Sequence, residues 1–337
     1  MPGEFGLIAR YFARPTPSAV LGPGDDCALI QPSPGKQLAV TTDMLVSGVH
    51  FFPDTDPGRL GWKALAVNLS DLAAMGATPR WVTLAGAIPA VDEAWIAKFA
   101  DGFFACATAY GVDMIGGDTT RGPLNFCITA IGEVDANSAL RRDGARPGDE
   151  IWVSGRPGLA ALGLAHLQGK VKLPEPWPRL CLGALEKPRP RIALGQALLG
   201  IATAAIDVSD GLLADLGHIC QRSRCRAAVH LVQLPQLRDL AGSGAHYDAD
   251  LRRIALECQL AGGDDYELIF TVPASRHTQI GAIAARLELP LWCIGKMEDN
   301  PEASDEAGTK AVTVFDPDGQ PVEFKHQGYD HFGQENT

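Results

Sequence analysis

The stretch "GRLGWKALAVNLSDLAAMG" (58–76) decides what kind of chain this is. Trp62, Leu65, Ala66, Leu69, Leu72 and Ala73 recur at helical spacing, and Gly76 supplies a stop. At about 100° per residue, Asp71 points roughly opposite that stripe, among Ala64, Val67, Asn68 and Met75, which do not make a solvent face. A helix that is apolar on nearly all sides packs between layers. Asp71 is therefore expected to be buried, and an ionised carboxylate there requires a partner.

On either side of this helix the pattern alternates. "CALIQ" (27–31), "QLAVTTD" (37–43) and "WVTLAGAI" (81–88) read as strands, "DEAWIAKFADGFFACATAYG" (92–111) as a helix, and "VDMIGG" (112–117) and "LNFCITAIGEV" (124–134) as strands. The turn-rich "RRDGARPGDE" (141–150) then introduces a second block. This block has strands at "EIWVSG" (150–155), "AAVHLVQL" (227–234), "ELIFTVP" (267–273) and "LWCIGKM" (291–297), with helices near 157–168, 190–200, 210–222 and 274–288. The expectation is an α/β (α+β) chain with an N-terminal domain over 1–140, a linker over 141–149 and a C-terminal domain over 150–337. "KLPEPWPRL" (172–180) reads as a flexible surface loop. Residues 300–310 and the extreme C-terminus read as disordered.

Composition excludes several classes. A net charge of −11 repels nucleic-acid backbones and anionic membranes, so neither is an expected partner. The longest apolar run, 192–206, has 15 residues and falls short of the ~20 needed to span a bilayer. Eight cysteines stand singly, without a CxxC pair or a secretory leader, as expected of reduced, buried thiols in a cytoplasmic protein.

The chemistry lies in scattered aspartates: "GPGDDCA" (22–28), "TTDMLVSGVH" (41–50), "NLSDLAAMG" (68–76), "GGDTTRG" (116–122), "DVSDG" (207–211) and "GGDDYEL" (262–268). No P-loop, GxSxG or HExxH occurs, no GxGxxG follows a strand, and the eight histidines do not cluster. What remains is an oxygen donor set of Asp25, Asp26, Thr41, Thr42, Asp43, Asp71, Asp118, Asp207, Asp210, Asp264 and Asp265. Hard oxygen donors spread over many elements suit several Mg²⁺ shared with substrate phosphates. Two polyanions brought together repel by about 4 kcal/mol per unit-charge pair at 4 Å and an effective dielectric of 20. Bridging cations reverse that sign. A phosphate-monoester acceptor is largely ionised at pH 7, its second pKa being about 6, and needs no general base.

The order of these blocks, with "NLSDLAAMGATPRW", "RRDGARPGD", "DVSDGLLADLGHI" and a closing "GYDHF" (328–332), resembles the thiamine-monophosphate kinase family over nearly the whole chain. That family shares a superfamily with aminoimidazole ribonucleotide synthetase, selenophosphate synthetase and a hydrogenase-maturation dehydratase. The resemblance implies a two-domain aminoimidazole ribonucleotide synthetase-like fold in which N-terminal sheets join across a homodimer and the C-terminal domain completes the active site. It implies direct in-line phosphoryl transfer from ATP to thiamine monophosphate with several Mg²⁺, and no catalytic residue as such. Asp26, Thr41, Thr42, Asp43, Asp71, Asp118, Asp207 and Asp210 match as magnesium ligands, with Asp71, Asp118 and Asp210 the most critical. Tyr110, Gly117, Asp118, Arg142 and Ser209 match as nucleotide contacts, and His50, Asp264 and Tyr329 as contacts to thiamine monophosphate. Asp264 stands where a longer Glu is common.

The chain lacks the Cys–Lys glycine loop of a selenophosphate synthetase and the C-terminal cysteine of the maturation protein. An aminoimidazole synthetase-like enzyme with the same metal-bridged chemistry is the nearest rival reading. A non-catalytic nucleotide or metal sensor is the rival from another class.

Overall fold

The computed structural model describes residues 3–235, 249–300, 311–324 and 328–329. The segment 301–310 and the end of "GYDHF" (330–332) lie outside the described residues. The chain divides into two compact units, one of residues 1–72 and 77–139, the other of 73–76 and 140–337.

The first unit begins with α1 (Glu4–Leu7) and a π-helical turn (Ile8–Phe12). It continues through β1 (Lys36–Val46), α2 (Pro57–Ala74), β2 (Thr78–Ile88), α3 (Glu93–Tyr110), β3 (Asp113–Arg121) and β4 (Asn125–Asp135). Asp92 caps α3 by accepting from the N–H groups of Ala94 and Trp95, and Gly111 ends it in the left-handed conformation, so this helix is bounded as its sequence predicts. The long crossover of α3 allows β2 and β3 to pair in parallel. β4 lies between β1 and β2, antiparallel to both, giving the order β1-β4-β2-β3.

The period of two then sorts the side chains of β1. Thr41, Asp43 and Leu45 share one face. Leu38, Val40, Thr42 and Met44 share the other, where Val40 is 62% and Met44 53% exposed. Almost all of α2 from Leu60 to Ser70 is buried, as expected for a helix held between layers. Asp71 itself is only partly buried.

The second unit contains β5 (Glu150–Ser154), α4 (Leu159–Leu167), α5 (Trp177–Glu186), α6 (Ile192–Ala197), β6 (Ala204–Asp207), α7 (Leu212–Ser223) and β7 (Arg226–His230). After these come α8 (Ala249–Ala261), β8 (Leu268–Val272), α9 (His277–Leu287), β9 (Leu291–Glu298), β10 (Val312–Phe315) and β11 (Pro321–Val322). Its sheet runs β11-β10-β7-β9-β5-β8-β6, with only the β10–β7 pair parallel. Both faces are covered, so the central strands β5 and β8 are buried at every residue. Ile151, Val153, Ile206 and Ile269 meet Leu212, Leu216 and Ile219 of α7 on one face. Trp152, Ala205, Leu268 and Phe270 meet α6 and α9 on the other.

Three expectations are corrected. "CALIQ" is not a strand: Cys27 and Leu29 are exposed, and the segment makes a single bridge, from Leu29 to Leu21. "AAVHLVQL" leaves its strand at His230 and turns through a 3₁₀ helix over Leu231–Gln233. The proline-rich 172–180 is not a loose loop, because Leu173 and Trp177 are buried against Leu162 and Cys181, and α5 starts at Trp177. At the start of the turn-rich 141–149 segment, residues 141 and 142 are held through their carbonyls. The carbonyl of Arg141 accepts from Ala205 N (2.9 Å), and that of Arg142 from Ser223 Oγ (2.8 Å).

Candidate active site

In the first unit a loop and a stretch of β3 frame one cavity of about 540 Å³. Gly22–Ala28 and Gly116–Thr119 line it, and Leu84, Trp95, Phe99 and Phe126 contribute its apolar wall. Trp95, Phe99 and Phe126 are stacked, with 4.2 Å between the Phe99 and Phe126 centroids. Three predicted donors therefore share a cavity: Asp25, Asp26 and Asp118. Asp26 and Asp25 are exposed, and Asp26 N–H donates to Asp25 Oδ1 (3.0 Å), which bends the glycine turn. Asp118 sits on β3 opposite Ala85 of β2. Its neighbour must be glycine, since a Cβ at Gly117 would lie 2.0 Å from the carbonyl oxygen of Leu84.

A second cluster forms between β1 and α2. Thr41 Oγ1 donates to Asp71 Oδ2, which gives the Asp71 carboxylate its partner. Asn68, one helical turn before Asp71 and fully buried, accepts from Asp43 N–H (3.0 Å) through Oδ1 and donates to Ala64 O (3.1 Å). The position of Asp43 is thus fixed by an amide that stands in the "NLSDLAAMG" motif but outside the predicted donor set. Thr42 does not join this cluster. It faces the opposite side of the sheet, with Oγ1 2.8 Å from Thr129 Oγ1. His50 accepts from Val46 N–H (3.0 Å) at Nδ1, which in the neutral ring leaves the proton on Nε2. Tyr110 packs edge-on to Trp62 with centroids 6.4 Å apart.

In the second unit the "DVSDG" segment follows β6. Asp207 is 3% exposed, and the loop after it is organised by Asp215 of α7. Asp215 Oδ2 accepts from the N–H groups of Ser209 (3.1 Å), Asp210 (3.1 Å) and Gly211 (3.0 Å). Burial, followed by the nearby Asp210 charge, pushes the Asp215 carboxyl up to about 7 against the opposing pull of those three amides. The carbonyls of the same loop hold the other predicted segments. Asp264 N–H donates to Ser209 O (2.9 Å), Tyr266 N–H to Val208 O (2.8 Å) and Tyr329 N–H to Asp210 O (2.9 Å). Tyr266 Oη donates to Asp264 Oδ1 (2.9 Å). Asp264 (φ 69°) and Tyr266 (φ 54°) both occupy the left-handed region, a strained choice for non-glycine residues that this web of bonds enforces.

Asp265 leaves the donor set. Its buried carboxylate accepts from Gly158 N–H (2.5 Å) and Ala160 N–H (3.2 Å), anchoring the start of α4, and burial raises its pKa well above the carboxylate range. Next to it, Glu267 is gripped by the Arg191 guanidinium, with Nε 2.6 Å from Oε2, and by Ser154 Oγ. Arg142 is exposed, whereas Arg141 is occupied by Asp143 at 2.9 and 2.6 Å. Among the described residues, no three His, Cys, Asp or Glu side chains converge closely enough to hold a metal ion by themselves.

Residues 24–134 match the family model for the AIR synthase related protein N-terminal domain, and 146–306 match that for the C-terminal domain. A thiamine-monophosphate kinase of Salmonella typhimurium is 47% identical over 98% of this chain and 98% of its own length. The chain belongs to the thiamine-monophosphate kinase family. The crystal structure of the Stenotrophomonas maltophilia K279a thiamine-monophosphate kinase aligns with TM-score 0.79 at 46% identity, covering 94% of this chain and 95% of that one. AaThiL complexed with AMPPCP and TMP aligns with TM-score 0.71 at 29% identity, covering 91% of each chain.

In this kinase-family chain the sequence reading missed Asn68, Asp215 and Glu267. Asp215 did leave a trace. It falls at a core position of the amphipathic "LLADLGHI", beside the buried Leu212, Leu213, Leu216 and Ile219, where an acid needs a partner.

Proposed function

We propose that the chain transfers the terminal phosphoryl group of ATP to the phosphate of thiamine monophosphate, giving ADP and thiamine diphosphate. An acceptor phosphate oxygen bonds to the γ-phosphorus as the bond from that phosphorus to the β,γ-bridging oxygen breaks, in line and without a covalent enzyme intermediate. Since the acceptor oxygen is largely ionised near neutral pH, no side chain has to remove a proton.

The observation that carries this reading is the donor set: every acidic station is a hard oxygen donor, with Asp25, Asp26 and Asp118 lining one cavity and Asp71 beside Thr41. Such a set fits Mg²⁺, which completes its shell with water and phosphate oxygens rather than a preformed protein cage. When bound, Mg²⁺ supplies the positive charge that lets two polyanions approach. Within the first unit Asp26, Thr41, Asp43, Asp71 and Asp118 are the residues that would offer it oxygen ligands, with Thr42 beside them; within the second they are Asp207 and Asp210.

Gly117, Tyr110, Arg142 and Ser209 contact the nucleotide, Arg142 through a guanidinium fork suited to phosphate. His50, Asp264 and Tyr329 contact thiamine monophosphate, Tyr329 presenting an aromatic face to a cationic ring. The exposed apolar side of β1, with Leu38, Val40 and Met44, supports a homodimer joined through that sheet. Eight free thiols support a cytoplasmic location.

The test is a coupled ADP-release assay with and without thiamine monophosphate, with chromatographic detection of thiamine diphosphate and chelator controls. ADP release that depends on thiamine monophosphate and Mg²⁺, with matching product, is expected. Release indifferent to thiamine monophosphate would overturn the reading.

A further inference from the structure

We infer that Asp215 is a positioning residue that couples the nucleotide end of the reaction to the acceptor end. This deepens the kinase reading and rests on it. One carboxylate oxygen collects the three successive N–H groups of Ser209, Asp210 and Gly211. With those amides turned inward to α7, the carbonyls of Val208, Ser209 and Asp210 accept from the backbone N–H groups of Tyr266, Asp264 and Tyr329.

The segment is a two-sided junction. Its side chains Ser209 and Asp210 serve nucleotide and metal, while its carbonyls fix the backbone of Asp264 and Tyr329, which serve the acceptor. A peptide cannot rotate its N–H without rotating the adjoining C=O, because the unit is planar. Loss of the Asp215 oxygen therefore disturbs both sides together. Asp215 is 2% exposed and lies one turn inside α7, so it acts through the loop rather than on substrate. Its function is to accept, and a neutral acceptor of the same shape can perform it.

The experiment compares wild type, Asp215→Ala and Asp215→Asn in the full chain, by steady-state kinetics and by hydrogen–deuterium exchange over 207–212 and 264–267. Asp215→Ala is expected to lower kcat by about a hundredfold, since displacements of ~1 Å cost that much. It should raise KM for both ATP and thiamine monophosphate and speed exchange in both peptides. Asp215→Asn, whose amide oxygen can take the same three N–H groups, should keep kcat within about threefold of wild type and both peptides protected.

A mere loss of folded protein would lower the apparent kcat without moving either KM. A shift in one KM only, or native exchange at 264–267 in Asp215→Ala, would overturn the coupling. So would an Asp215→Asn enzyme with native exchange but alanine-like kinetics, and that variant decides alone if Asp215→Ala does not fold. If wild type forms no thiamine diphosphate, the kinase reading fails, and the exchange data still test the junction.

Discussion

Gly263→Ala is the sharpest single test of the second unit's loop web. A Cβ at residue 263 would lie 2.3 Å from Ser209 O, 3.3 Å from Ser209 C and 3.4 Å from Asp210 Cα. Real Cβ contacts do not fall below 3.0 Å, so the two loops must separate by about 0.7 Å, and the obstacle is backbone that cannot rotate away. The carbonyl that is struck also receives Asp264 N–H at 2.9 Å, so that bond lengthens as the methyl group enters. Overpacking of this kind costs about 1–3 kcal/mol, and a unit of this size loses roughly 2–4 °C of Tm per kcal/mol. A misplacement near 1 Å between Ser209 and Asp264 costs about a hundredfold in kcat, or ~2.7 kcal/mol of transition-state stabilisation. The assay is thiamine diphosphate formation at saturating substrates, with Tm measured in parallel. Gly281→Ala in α9 is the control: nothing lies within 4 Å of its Cβ, and alanine there should add about 0.5–1 kcal/mol of stability with kcat unchanged. A Gly263→Ala enzyme with kcat within about threefold of wild type would refute the claim that this contact sets the geometry.

Four further outcomes follow from the first unit and the thiols. Asp71→Asn keeps an oxygen for the Thr41 hydroxyl but removes the charge, so turnover should fall by about a thousandfold with unchanged circular dichroism, and loss below tenfold would sink the assignment. Val40→Glu, at a side chain on the exposed face of β1, should convert a dimer into monomers in light scattering, and a persistent dimer would move the interface elsewhere. Cys27 is exposed, whereas burial pushes Cys181, Cys220 and Cys258 up to about 12, so at pH 8 a disulfide reagent should show a fast phase that Cys27→Ser removes. Because the folded thiols titrate above the ordinary value of 9.0, the unfolded chain loses those protons first, and urea midpoints should decline from about pH 9 towards 12.

What the sequence disclosed depended on whether the signal was local. α3 was legible from end to end because its cap, Asp92, and its stop, Gly111, are neighbours of the helix they bound. "CALIQ" failed because an apolar run becomes a strand only with a partner, and among the described residues its one bridge is between Leu29 and Leu21. The apolar run 192–206 hid two elements, α6 and β6, on either side of Gly200, whose φ of +71° turns the chain between them. The site divides in the same way. Asp26, Asp43, Asp71, Asp118, Asp207 and Asp210 could be singled out as acids at strand and helix ends, whereas Asn68 and Asp215, though inside the same quoted blocks, owe their roles to which backbone N–H groups face them. That is settled by tertiary packing. Asp265, adjacent to Asp264 and chemically identical, turned inward to anchor α4 for the same reason.

The arrangement of the acidic groups also has a physical logic. Two carboxylates at 4 Å repel by about 4 kcal/mol at an effective dielectric of 20, so a preassembled cage of several would burden the fold whenever cations were absent. Asp43, Asp71 and Asp264 are each positioned by an uncharged group, whereas the Asp210 backbone is held by a second acid, Asp215. Asp71 has a threonine hydroxyl, Asp43 a buried asparagine on its backbone, and Asp210 a loop gathered by Asp215. Asp264 has the Tyr266 hydroxyl. Position is thereby fixed in part through hydroxyl and amide groups. In a chain of net charge −11 these bonds order the loops without adding positive charge, which bound cations would supply.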